Sequence, residues 1–277
     1  MTLKVLACQI DIPPMTTFGE RDVHVASVIG KIDARLKNDP VDVVVLPELS
    51  SIDYSRATFD NLDQLAESLD GPTVNAFRKL ARQHSVFIVF GIARKHDGQY
   101  RIAQVVLDDQ GNLVGHYDKV HIAQYGASME KEYFERGDQL LVFNVKGIRV
   151  APVICYDIRI PEMLRTLCVE NSVQLVLHCG AYARDESFYS WHQFAVTRAM
   201  ENLVYLLSLN RAGDFFGESI FCPPWVDETH PEIVFPSDET LMVLDVDPND
   251  LAKTRAKYPF LDDRLDSYNS LRKFMPN

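Results

Sequence analysis

The chain has 277 residues, 47% hydrophobic and 24% charged, enough to bury a large core without disulfides or metals. Its formal net charge of −11, with no clustered basic face, excludes a phosphate-backbone binder. No stretch approaches the ~18 apolar residues of a membrane span, and the five irregularly spaced cysteines read as reduced thiols of a cytoplasmic protein. Residues 3–10 read as a strand, with an apolar run too short for a signal peptide. Over 20–37, Val25, Val28, Ile29, Ile32 and Leu36 share one helical face. Residues 42–47 form a continuous apolar run, as in a strand buried on both faces. Pro72 opens a helix carrying Val74, Phe77, Leu80 and Ala81, and residues 86–90 form another buried strand. Strands over 100–108 and 113–121 join at Asp109-Gln110-Gly111-Asn112, a hairpin-type turn. Strands follow at 140–145 and 148–154, then a helix from Pro161, a strand at 173–177 and a helix over 186–201. Strands near 203–209, 216–222 and 239–246, a short helix and a polar tail complete the chain. No linker, low-complexity segment or fixed-period repeat divides it, so 1–277 reads as one domain. Hairpins mixed with βα alternation indicate a layered α/β or α+β fold.

Three residues stand where apolar strands end. Cys155 follows Ile148–Ile154 and is followed at once by Tyr156-Asp157. A cysteine in an apolar strand is usually an inert core residue. Here the apolar pattern breaks immediately and Pro161-Glu162 starts a helix, so a strand, a sharp turn and a helix present the thiol near backbone N–H groups. Cys8 and Cys168 lack this setting and read as core; Cys222 precedes Pro223-Pro224, and Cys179, between His178 and Gly180, reads as strand-end packing near a pocket. Glu48 ends the run 43–47 and precedes Leu49. An acid there is often a helix cap, but its apolar flanks imply burial, which raises a carboxylate pKa and makes a usable base. Lys119 lies between Tyr117 and Val120-His121-Ile122, so its stem is packed and its ammonium can stabilise an oxyanion. His121, flanked by Val120 and Ile122, reads as structural. No G-x-G-x-x-G, P-loop, C-x-x-C, H-E-x-x-H or G-x-S-x-G is present, so no nucleotide cofactor, metal or serine nucleophile is expected.

Leu46-Pro47-Glu48-Leu49, Tyr117-Asp118-Lys119-Val120-His121-Ile122 and Ile154-Cys155-Tyr156-Asp157-Ile158-Arg159-Ile160-Pro161-Glu162 together resemble the nitrilase superfamily of carbon–nitrogen hydrolases, in its order and at its spacing. Arg198-Ala199-Met200-Glu201-Asn202, Gly217-Glu218-Ser219 and Asp263-Arg264 with Tyr268 extend the match. The resemblance implies a four-layer α-β-β-α sandwich and a triad of Glu48, Lys119 and Cys155. It also implies a second glutamate, Glu130 by its spacing from Gly137, with Glu132 the competing choice. Substrate-binding residues would be Tyr54, Tyr156, His178, Ala181 and Tyr182, with Arg159 and Arg184 available to a carboxylate; Trp191 reads as core. Subunits of the family pair through helices near the active-site face, which implies a homodimer or higher homo-oligomer, with residues 258–277 a tail packing on a partner subunit. Tyr156-Asp157 in place of the nitrilase Trp-Glu resembles the amidase branches. The function implied is hydrolysis of a small linear amide through a cysteine thioester, releasing ammonia and a carboxylate. Alternatives are N-carbamoyl hydrolysis, nitrile hydrolysis and, outside enzymes, a catalytically silent binding module on the same fold.

Overall fold

Alternation along β1 (Leu3–Gln9) sets the layers: Leu3, Val5 and Ala7 enter one buried cluster, Leu6 and Cys8 another. The computed structural model describes residues 1–275. After β1 come α1 (Phe18–Leu36), β2 (Val43–Val45), the short helices α2 (Arg56–Phe59) and α3 (Leu62–Leu65), α4 (Pro72–His84), and the antiparallel run β3 (Phe87–His96), β4 (Gln99–Leu107) and β5 (Leu113–Asp118). The second half holds β6 (Phe143–Val145), β7 (Ile148–Ile154), α5 (Pro161–Arg165), β8 (Leu175–Cys179), α6 (Phe188–Asn202), β9 (Tyr205–Leu209), β10 (Ile220–Cys222), β11 (Ile233–Val234), β12 (Thr240–Val246) and α7 (Pro248–Lys257).

Two six-stranded sheets result, ordered β12-β1-β2-β3-β4-β5 and β11-β10-β9-β8-β7-β6. Each has three parallel strands at its centre, β1-β2-β3 and β7-β8-β9, with antiparallel strands outside. The inner faces meet in one cluster that joins Val5, Val43, Val45 and Val89 to Val150, Leu175, Leu177 and Leu207. The outer faces pack on helices: Leu6, Val44 and Ile88 with Val28 and Ile32 of α1 and Phe77 and Leu80 of α4, and Ala151, Val153 and Val176 with Leu164 of α5 and Ala195 of α6. This is the α-β-β-α order that the resemblance implies. Among the described residues no helix is long and apolar enough to cross a membrane.

Several boundaries depart from the sequence expectation. β3 runs on to His96 because Gly91, Ile92 and Ala93 stay buried and Arg94 is neutralised by Asp118 (Nε–Oδ1 2.9 Å). β5 stops at Asp118, where the chain turns toward the second sheet, and not at residue 121. β10 starts only at Ile220, since Gly213 and Gly217 at positive φ fold the preceding residues into a turn. α2 and α3, four residues each, are too short to show a helical period, and the two-residue β11 carries no strand pattern.

Gly91 is the close-approach point of the first sheet. A Cβ there would stand 2.4 Å from Leu49 N and 2.6 Å from Pro47 O, so only glycine lets the segment after β2 lie against β3. Ser50 fastens the contact: its Oγ accepts from Gly91 N–H (2.9 Å) and donates to Gly91 O (3.2 Å). Glu48 therefore leaves the sheet at a fixed point, at the carboxyl end of a central parallel strand.

Candidate active site

Glu48, Lys119, Glu130 and Cys155 converge at the carboxyl ends of the strands. Leu49 takes φ +48°, reversing the chain directly after Glu48. Lys119 is gripped through its backbone: its N–H donates to Ile102 O (2.8 Å) and its carbonyl accepts from Gly137 N–H (2.8 Å). A Cβ on Gly137 would meet Asp118 O at 2.3 Å, so glycine is what permits that approach. Lys119 Nζ donates to Glu48 Oε1 (2.8 Å) and Glu130 Oε1 (2.6 Å), and all three side chains are fully buried. Glu130 sits on a single 3₁₀ turn, Glu130–Glu132; its Oε1 also accepts from Tyr54 OH (2.8 Å) and its Oε2 from Ala123 N–H (2.9 Å). Glu132 points outward to Arg56 (2.7 Å), so of the two glutamates only Glu130 meets Lys119.

Burial pushes the Glu48 carboxyl up to about 7, against the ammonium of Lys119 and with the help of Glu130. Burial opposes the charge on Lys119, but the carboxylates of Glu130 and Glu48 outweigh it and hold the amine well above its ordinary value. The Cys155 thiol is pushed up by burial and by the negative charge of Glu48, with Lys119 opposing. Glu48 Oε2 has no hydrogen-bond partner in the resting geometry, and the Cys155 thiol is among the groups that stabilise the ionised carboxyl. The resting site thus holds a protonated thiol beside a carboxyl that changes charge near neutrality.

Cys155 takes φ +44°, a conformation uncommon for a residue with a side chain. Its carbonyl is held by two donors, His178 Nε2 and Tyr182 OH, each at 2.9 Å. Behind His178, Nδ1 lies 2.6 Å from Ser208 Oγ, which accepts from Trp191 Nε1–H at 2.7 Å. The indole can only donate, so the Ser208 proton goes to His178 Nδ1 and the imidazole carries its own proton on Nε2. Burial pushes His178 down to about 4, which keeps it neutral for this role. Tyr182 stacks on Trp191 with ring centroids 4.6 Å apart, so the two donors to Cys155 share one support.

The chain matches the carbon-nitrogen hydrolase family model over residues 5–256. It belongs to that family. A 2-oxoglutaramate amidase of Bacillus subtilis (strain 168) is 30% identical over 239 residues, covering 82% of this chain and 86% of the relative. The omega-amidase NIT2-B of Xenopus laevis is 25% identical over 237 residues, covering 81% and 83%. A CN-hydrolase superfamily protein of Xanthomonas campestris, solved with an arsenic adduct in its active site, superposes with TM-score 0.82 at 23% identity, covering 97% of this chain and 98% of its own, and so shares the fold.

In this carbon–nitrogen hydrolase a cavity of about 80 Å³ opens over Cys155 and Glu130. Of the residues expected to bind substrate, Tyr54, Ala181 and Tyr182 line it. His178 lies beneath the Cys155 loop, away from the lining, and Tyr156 stands behind Tyr125 with ring centroids 5.2 Å apart. Arg184 pairs with Glu218 (2.7 Å), and the Arg159 guanidinium lies between the rings of Tyr125 and Phe194; neither lines the cavity. Tyr125, Ser128 and Asp185 do line it and carry no signal in their own sequence surroundings. Trp191 is fully buried.

Ser208→Ala leaves the Trp191 N–H without an acceptor and His178 Nδ1 without a donor, at a residue that is 1% exposed. The expected loss is about 2 kcal/mol of stability, read by chemical denaturation. Nitrogen NMR on the intact protein should show His178 protonated on Nε2.

Proposed function

We propose that the protein is an amidase that hydrolyses a small linear amide through a thioester on Cys155. The observation that carries the reading is the buried bridge of Lys119 between Glu48 and Glu130, with the Cys155 thiol beside Glu48. The amidase names of the similar proteins point the same way. Glu48 takes the thiol proton as Sγ attacks the carbonyl carbon, so a free thiolate need not form in advance. Lys119 and the backbone N–H of Tyr156 hold the oxyanion. Glu48 returns the proton to the departing nitrogen, the C–N bond breaks and ammonia leaves. Glu48 then takes a proton from water as its oxygen attacks the thioester; the carboxylic acid departs and the proton returns to Sγ. Glu130 holds Lys119 in place. A cavity of about 80 Å³ walled by Ala123, Ala127, Ala181 and Ala183 suits a short acyl chain. N-carbamoyl hydrolysis would yield carbon dioxide as well as ammonia, so product analysis separates it.

The proposal extends to assembly. Leu265, Tyr268, Leu271, Phe274 and Met275 are 46–84% exposed in the C-terminal tail, an apolar surface that a second subunit would cover. Residues 276–277 of that tail lie outside the described residues. Light scattering should find a dimer or larger species, and removal of residues after Tyr258 should weaken it; a monomeric intact protein sinks this part.

Cys155→Ala should abolish turnover across a panel of amides from acetamide to hexanamide, and the wild-type protein mixed with a substrate amide should show an acyl adduct on Cys155 by mass spectrometry. Retained turnover in the variant refutes the covalent route. The acid limb of kcat/KM should lie near pH 7, where Glu48 loses its proton in the free enzyme. Glu130 raises the Glu48 pKa by like-charge repulsion, so Glu130→Gln should move the limb to lower pH while reducing kcat. A limb that stays in place, or moves up, contradicts the assignment of the base.

A further inference from the structure

Asp157 is fully buried two residues beyond Cys155, and both of its oxygens are engaged. Oδ1 accepts from His121 backbone N–H (3.1 Å) and meets His121 Nδ1 at 2.7 Å; Oδ2 accepts from Ile154 N–H (2.9 Å) and Tyr117 OH (2.7 Å). These partners belong to two different strand ends. Ile154 immediately precedes the nucleophile in the second sheet, while Tyr117 and His121 bracket Lys119 at the end of β5 in the first. Tyr117 OH also accepts from Val120 N–H (3.2 Å), so the residue after Lys119 is tied to the same carboxylate through one hydroxyl. On the other side of Lys119, Asp118 is locked by the two-pronged contact from Arg94 (2.9 and 2.5 Å).

We propose that Asp157 is the positioning residue that sets Cys155 Sγ against Lys119 Nζ, a role that rests on the reading of those two as nucleophile and oxyanion holder. The carboxylate touches neither substrate nor the reacting atoms; it acts by pinning the backbone on either side of both. A carboxylate is suited to this because both oxygens accept and neither need donate. An amide is not suited: whichever way it is turned, its NH₂ faces a backbone N–H, that of His121 at one oxygen position or that of Ile154 at the other. Asp157→Asn therefore keeps the shape and volume while turning one attraction of the clamp into a repulsion. Tyr117→Phe removes the strut to Oδ2 and the acceptor of Val120 N–H but sets no donor against a donor.

The test compares Asp157→Asn, Tyr117→Phe, the double variant and Cys155→Ala in the full-length protein, with butyramide as substrate. Single-turnover acylation of Cys155, read by quenched mass spectrometry and normalised to folded protein, is measured beside kcat, KM and the unfolding midpoint. A displacement of about 1 Å costs on the order of 100-fold in rate, so Asp157→Asn should slow acylation by about that factor with KM changed less than about threefold. Tyr117→Phe should slow it by about tenfold. The double variant should be no slower than Asp157→Asn, because both changes disable one clamp. Acylation at the wild-type rate in folded Asp157→Asn, or multiplied effects in the double variant, overturns the proposal. If Asp157→Asn does not fold, Tyr117→Phe decides: slowed acylation at unchanged KM supports the clamp, and a lowered midpoint with wild-type acylation refutes it. Cys155→Ala separates this outcome from a failure of the underlying reading. Butyramide turnover in that variant removes the nucleophile assignment itself, whereas an inert Cys155→Ala beside fully active clamp variants removes only the role of Asp157.

Discussion

An ammonium taken out of water must find its counter-charges within hydrogen-bond reach, and Lys119 finds two, at 2.8 and 2.6 Å. Loss of either carboxylate alone would leave Lys119 with a single partner and change the charge of the buried cluster. The structure around them is arranged accordingly: Tyr54 and Ala123 N–H take up the lone pairs of Glu130, and Glu48 shares Lys119 while leaving one oxygen free. That free oxygen follows from the same constraint. A Glu48 with donors on both oxygens would be held ionised, whereas burial, with Lys119 and the Cys155 thiol opposing it, brings its pKa to about 7, the range that the proposed proton transfers need.

Rigid backbone holds this cluster in place. Leu49, directly after Glu48, and Cys155 both adopt left-handed backbone conformations, each of which costs about 1–2 kcal/mol for a residue with a Cβ. Each is secured by its surroundings: the Gly91–Ser50 contact on one side, and the two donors to the Cys155 carbonyl on the other. Strain persists at such positions only where neighbours over-determine it. The line of donors from Trp191 through Ser208 and His178 shows how far from the thiol that support begins.

Much of this was legible in the chain. Glu48, Lys119 and Cys155 stand out because a polar residue ending an apolar strand has nowhere to go but the rim of the sheet, and the structure brings all three together there. Glu130 had only its spacing from Gly137 to recommend it, since a single 3₁₀ turn leaves no periodic trace. His178 shows why side-chain role is harder to read than position: a histidine at a strand end is visible, but whether it faces the cavity or supports the loop from below depends on Ser208 and Trp191, on two other elements. Tyr125 and Asp185 sit on loops whose composition is ordinary. The expected strand stops at Phe90, before Gly91, whereas β3 continues to His96 because residues 91–93 stay buried and Arg94 pairs with Asp118, neither of which a glycine and a charge in the chain announce.

The paired sheets carry one more consequence. Glu48 and Lys119 leave the first sheet and Cys155 leaves the second; the layer between the sheets is apolar, and hydrogen bonds that tie one half to the other sit at its rim, among them Tyr117 and His121 with Asp157 at one place and Ser219 with Gln9 at another. The position of Cys155 relative to Glu48 and Lys119 is therefore a shear coordinate of the sandwich, held by those rim contacts. Heat or denaturant that loosens those rim contacts would let the sheets slide and carry Cys155 away from Glu48 and Lys119 while both sheets are still folded.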